Sequence, residues 1–102
     1  MSDEESNDTK QASVLFSLGQ IVATPGALDL LMRHRISPML LLLRHVRGDW
    51  GNLDPEDSAA NHAAVSENNR ILSSYRIDGD DRVWIITEGD RSVTTLLLPC
   101  EY

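Results

Sequence analysis

The apolar positions along this chain change period twice. Residues 1–12 hold few of them and no repeat, so MSDEESNDTKQA reads as a disordered acidic tail ahead of one folded domain over 13–102. In SVLFSLGQIVAT (13–24), Val14, Ile21 and Val22 surround Gly19, which predicts one short strand or a turn and a strand. Three segments then open alike, each with a capping side chain followed by proline: Thr24-Pro25, Ser37-Pro38 and Asp54-Pro55. In the first, Leu28, Leu31 and Met32 fall at helical spacing and form the expected apolar face. In the second, leucines at 40, 41, 42 and 43 cover more than one face, which predicts a helix central to the core that ends near Arg47 at Gly48. The third has only alanines and Val65 as its apolar body, so it is expected on the surface, stopped by Asn68-Asn69.

From Arg70 the period falls to two. RILSSYRI places Ile71, Ser73, Tyr75 and Ile77 on one side, DGDD (78–81) makes a hairpin turn, RVWIITE follows, EGDR (88–91) turns again, and SVTTLLLP is the last strand. The expected fold is α+β: two to three short helices packed on one face of a small antiparallel β-meander of three or four strands.

Composition narrows the function. The longest apolar run, 39–43, is far too short to span a bilayer, and the N-terminus has no secretory apolar region. The single cysteine, Cys100, forms no internal disulfide and has no zinc-type spacing with histidine, so the expectation is a reducing, cytoplasmic setting without metal or cofactor. No phosphate-binding glycine loop or nucleophile elbow is present. A net charge of −7 argues against direct nucleic-acid binding and favours a protein partner, with no membrane association.

Charge is also arranged. Over 33–47 there are four arginines, two histidines and no acid, whereas the turns collect Asp78, Asp80, Asp81, Glu88 and Asp90 at opposite ends of the expected sheet. Together with Arg44, Arg47, Asp49 and Trp50 from RHVRGDWGNL, these acids form the expected partner-binding set, since complementary charge orients docking. The same residues have plainer readings as solvated turns and as cations at a helix C-terminus. Trp50, between two glycines, is either a plug that locks the loop to the sheet or an exposed binding anchor. His45 sits on the last turn of its helix, where the dipole favours its protonated form; it reads first as a cap of that helix, and as a general base only with Asp49, four residues on and within reach, to orient it.

A catalytic alternative uses the same region. A metal-independent nuclease would employ His45 as acid or base, Arg70 and Arg91 on phosphate, and the hydroxyls of Ser73, Tyr75 and Thr94. It requires those side chains to converge in one cleft.

The blocks FSLGQIVATPGAL, RHVRGDWG, EDSAANHAAVSENNRILSSYRI, VWIITEGDRSVTTLLLP and the terminal EY resemble a family of small bacterial proteins of plasmids and integrated mobile elements. Such proteins carry the labels plasmid-related protein or type I restriction subunit M. The chain has neither the length nor the N-P-P-Y motif of a DNA methyltransferase, so the resemblance implies a mobile-element setting rather than an activity. The leading expectation is therefore a small acidic, non-enzymatic accessory protein that docks on another protein, one version being an anti-restriction or anti-CRISPR inhibitor of host defence. A homodimer through a sheet edge or the leucine-rich helix is the third arrangement.

Overall fold

The computed structural model describes residues 13–102, and the expected acidic tail lies outside them. The elements run β1 (Gln20–Ala23), α1 (Pro25–Arg33), α2 (Pro38–Val46), α3 (Pro55–Glu67), β2 (Ile71–Asp78), β3 (Asp81–Thr87), β4 (Val93–Leu97) and a closing 3-10 turn, Pro99–Glu101. The sheet order is β1-β4-β3-β2. The three C-terminal strands form the expected antiparallel meander, and β1 adds to it in parallel beside β4. The sheet is therefore mixed, an α+β arrangement.

All three helices start where the local chemistry dictates. Thr24 Oγ1 accepts from Ala27 N at 3.1 Å, Ser37 Oγ from Met39 N at 3.2 Å, and Asp54 Oδ1 from Asp57 N at 2.8 Å, each ahead of a proline at the first helical position. Asn68 closes α3 in the left-handed conformation at φ 56°.

Helix faces are less faithful to the apolar pattern. In α1 the buried residues are Ala27, Leu30 and Leu31, and the expected Leu28 and Met32 point outward. In α2, Leu41, Leu42, His45 and Val46 face the sheet, while Met39, Leu40 and Leu43 are exposed. Thus α2 is not apolar-enclosed as expected but lies over one face, with half its leucines in solvent. Helix α3 is the surface helix the sequence implied, burying only Asn61 and Ala64.

One sheet face carries the core. Cross-strand pairing aligns Ser73 with Ile85, Tyr75 with Val83, Ile85 with Leu96, and Thr87 with both Ile71 and Thr94. Tyr75, Val83, Ile85 and Leu96 pack beneath α1 and α2, and a second cluster joins Ile71 to Phe16, Val46, Trp50 and Ala64.

The outer edge of β2 is closed by groups that imitate a neighbouring strand. Ser74 N donates to Trp50 O at 3.0 Å and Ser74 O accepts from Asn52 N at 2.6 Å. Gly51, between them at φ +78°, pairs with Ser74 so closely that a Cβ would collide with the Ser74 carbonyl. Arg76 N donates to Asn52 Oδ1 at 2.8 Å. The Asn61 amide serves Leu72 twice, with Nδ2 donating to its carbonyl at 2.7 Å and Oδ1 accepting from its N–H at 3.2 Å. Asn61→Leu removes both partners while keeping volume, so it should cost about 2–4 kcal/mol for two stranded backbone groups. Urea unfolding checks this, and concentration-dependent association of the variant should accompany the loss as the edge opens.

Candidate functional site

RHVRGDWGNL folds into a knot that fastens the end of α2 to β2. Asp49 accepts from Arg44 Nε at 2.7 Å and Arg44 Nη2 at 3.3 Å, and its Oδ1 also receives Gly51 N at 3.1 Å. The Arg44 guanidinium holds the Asp49 carboxyl below the usual range, and that same bond raises Arg44. Arg44 lies over the Tyr75 ring, 4.6 Å from its centroid, and the Tyr75 hydroxyl donates to Asp49 O at 2.6 Å. Burial pushes the Tyr75 phenol up to about 12. Asp49 is thus spent on Arg44 and Gly51, and the general-base reading of His45 loses its orienting carboxylate.

His45 is fully buried and wedged across the sheet. Its Nδ1 lies 2.6 Å from Ser73 Oγ on β2 and its Nε2 lies 2.9 Å from Thr87 Oγ1 on β3. Thr87 Oγ1 is 2.8 Å from Thr94 Oγ1 on β4, and Thr94 Oγ1 donates to Leu18 O at 2.7 Å. Proton counting fixes the direction. Thr94 gives its only hydroxyl hydrogen to Leu18, so it accepts from Thr87. Thr87 then accepts from His45 Nε2–H, leaving Nδ1 to accept from the Ser73 hydroxyl. The ring is the neutral Nε2–H tautomer. Burial lowers its pKa from 6.5 to about 4, the opposite of the protonation expected from the helix dipole. Desolvation wins because the ring has no exposed surface, and a dipole at a helix end supplies at most about 2 kcal/mol.

The nuclease arrangement is not formed. His45, Ser73, Tyr75 and Thr94 do come together, but His45, Ser73 and Thr94 are fully buried and no cleft reaches them. Arg91 is turned to structure: at φ 62° it donates to the carbonyls of Ala64 and Asn69 at 2.9 and 2.8 Å, closing the C-terminus of α3, and it lies over Phe16. Arg70 is on the other sheet face, paired with Glu88 at 3.2 Å and donating to the Tyr102 hydroxyl at 2.6 Å.

The expected partner set divides as well. Trp50 is 4% exposed, stacked on Phe16 and edge-on to His45 and His62, so it is the plug and not an anchor. Its Nε1 has no hydrogen-bond partner among the described residues. Arg44 and Asp49 are partly exposed but bonded to each other, and Glu88 is held by Arg70. Asp90 accepts from Ser92 N at 3.0 Å. Arg47, Asp78, Asp80 and Asp81 face solvent.

What the sequence reading missed is an exposed apolar surface. Leu28 and Met32 of α1 and Met39, Leu40 and Leu43 of α2 are all exposed, Met32 to 74% and Leu40 to 57%. A groove of about 310 Å³ runs between the helices, lined by Leu28, Leu31, Met32, Arg35, Ile36 and Pro38. The only available signal was the excess of leucine in α2 over what one face can bury. Among the described residues no helix is long and apolar enough to cross a membrane, and no three His, Cys, Asp or Glu are grouped to hold a metal. The chain matches no protein-family model, no curated protein and no solved structure.

The depressed His45 pKa fixes a pH dependence. The unfolded chain takes up a proton below pH 6.5 that the folded chain refuses until about pH 4, so stability falls as pH drops through that window and the His45 contribution levels off below it. The loss between pH 7.5 and 5 should be about 2 kcal/mol. Urea titrations at the two pH values check it, and His45→Gln should flatten the dependence while lowering stability at pH 7.5.

Proposed function

We propose that this is a non-enzymatic docking protein that binds another protein through the α1–α2 face. The observation that carries the reading is the set of five large apolar side chains left in solvent on two adjacent helices. A chain this small with leucine and methionine to spare outside its core has a use for them at an interface. His45, Ser73, Tyr75 and Thr94 are consumed in the core, Arg91 closes α3 and Arg70 is paired with Glu88, which supports binding over chemistry.

The rim of that face indicates the partner. Arg35 lines the groove, and Arg47 follows Leu40 and Leu43 on one stripe of the helix exit, neither with an ion-pair partner among the described residues. A partner presenting an amphipathic segment with apolar centre and acidic flanks complements both features. A second copy of this face would set the arginines against each other, so a different protein fits better. The exposed acids of the 78–81 turn would repel wrongly oriented or nucleic-acid ligands. Resemblance to mobile-element proteins, small size and net −7 support an accessory role in the cytoplasm, with inhibition of a host defence protein as the concrete version.

The test is affinity capture from host extract with quantitative mass spectrometry, comparing the native chain with Met32→Glu plus Leu40→Glu. Both sites are exposed, so the double variant should unfold at the native urea midpoint. A specific partner should be held by the native chain, weakened at least about tenfold by the variant, and weakened again by salt up to about 0.5 M. Equal capture by both proteins would sink the reading, as would light scattering that shows a self-dimer abolished by the same variant.

A further inference from the structure

Two arginines of the domain are left without an acid, and both border the α1–α2 face. Arg33 is paired with Asp29 at 3.0 Å, Arg44 with Asp49 at 2.7 Å and Arg70 with Glu88 at 3.2 Å. Arg91 gives its donors to the carbonyls of Ala64, Asn69 and Glu88. Arg76 and Arg82 border the turn that carries Asp78, Asp80 and Asp81. Arg35 and Arg47 remain, both exposed and neither in an ion pair among the described residues. The acids nearest to them in sequence, Asp29 and Asp49, are already bonded to Arg33 and Arg44. The groove that Arg35 lines has no acid in its wall, whereas Asp80 and Asp81 line a different one with Arg33 and Arg82. On a chain of net charge −7, this face keeps positive charge uncompensated.

Acids to match it lie in residues 1–12. Asp3, Glu4, Glu5 and Asp8 stand there against Lys10, and four acids less one lysine leave −3. That segment joins the domain beside the same face. Leu15 N donates to Val46 O at 2.9 Å at the end of α2, and Phe16 packs with Val46 and Trp50. The point of entry is therefore the helix exit that carries Arg47. From it α2 runs back over Pro38–Val46, about 13 Å, towards Arg35. Asp8 is five residues before Ser13 and so reaches at most about 17 Å, and Glu4, nine residues before it, about 30 Å. Asp8 is thus within range of Arg47, and Glu4 and Glu5 are within range of Arg35. The start of α3, with Asp54, Glu56 and Asp57, repels the segment in another direction.

We propose that the acidic segment 3–8 of the same chain occupies the rim of the α1–α2 face, Asp8 meeting Arg47 and Glu4 and Glu5 meeting Arg35. Exposed ion pairs are weak singly, but a tethered segment meets its site at an effective concentration in the millimolar range. Residues 2–12 hold no large apolar side chain. The segment therefore covers the arginines and leaves Met32, Leu40 and Leu43 for a stronger occupant. It is a built-in competitor: a ligand that offers negative charge alone is turned away, and one that adds apolar contact displaces the segment. This competitor role rests on the docking reading above, whereas the contact itself does not.

The experiment places a nitroxide on Ser6→Cys in the whole ¹⁵N-labelled chain, with Cys100→Ser so that the label has one site. The reference is the same labelled chain carrying Asp3→Asn, Glu4→Gln, Glu5→Gln and Asp8→Asn, a tether without acid. At about 20 mM salt the Arg35 and Leu40 amide signals should broaden at least about twofold more in the native tail than in the reference. Salt at about 0.5 M should erase that difference. Arg35→Gln with Arg47→Gln, both at exposed sites, should erase it as well. A mixture of spin-labelled ¹⁴N chain and unlabelled ¹⁵N chain should show no broadening. The proposal is overturned if native and reference tails broaden these signals equally, or if the difference survives high salt or the arginine substitutions. It is equally overturned if the mixture broadens as the single chain does, since the contact would then join two copies. In the capture experiment the acid-free chain should bind the partner at least about threefold more tightly than the native one, and equal binding overturns the competitor role. If neither chain holds a partner, the docking reading falls, and the spin-label result alone decides the contact.

Discussion

The structure depends on satisfying one buried imidazole. His45 enters the core from α2 with two nitrogens that must be paired, and the partners come from β2 and β3, with β4 and the segment before β1 completing the row. Ser73, Thr87 and Thr94 would each cost a few kcal/mol if buried alone. In sequence they occupy positions that a half-apolar strand pattern leaves free. Together they form a chain in which every hydroxyl hydrogen has one destination, ending on the Leu18 carbonyl. Such a chain has one good register. Sliding β2, β3 or β4 by a residue would carry its hydroxyl to the other face and strand the ring. The polar row therefore specifies how the leucine-rich helix sits on the sheet, which leucine contacts alone leave loose.

Around this centre the two sheet edges are treated differently. The β2 edge is filled at each outward residue by Asn61, Asn52 and the Trp50–Asn52 backbone, and the α2 exit is tied down by Arg44, Asp49 and Tyr75 to bring that backbone into place. The β1 edge is only four residues long, and no strand of the described residues lies beyond it. Shortness is itself a protection against unwanted pairing. On the helical side Met32 and Leu40 stand in solvent, and Arg35 and Arg47 form no ion pair among the described residues.

The histidine that looked reactive in the sequence is the least accessible in the chain, and this has a physical cause. A Ser–His contact of 2.6 Å is a nucleophile–base geometry by distance alone. Chemistry requires in addition that a substrate reach the hydroxyl, and here Phe16, Trp50 and the sheet enclose the ring. The same enclosure sets its pKa, so one fact of packing accounts for both the absence of a cleft and the acid sensitivity.

The sequence by itself determined whatever is settled within a few residues. Thr24-Pro25, Ser37-Pro38 and Asp54-Pro55 start helices because a cap and a fixed φ act on the next turn, and DGDD and EGDR turn the chain through their own backbone preferences. The α+β order and the meander followed from those signals. Tertiary structure alone decided which leucines of α2 are buried, since an apolar run at 39–43 has no polar side to mark its outer face. It also decided that β1 joins in parallel, that Asn61 stands in for a strand, and that His45 meets Ser73 and Thr87 across 28 and 42 residues. Those outcomes arise from desolvation and hydrogen-bond pairing between distant groups, energies that exist only once the chain has brought them together.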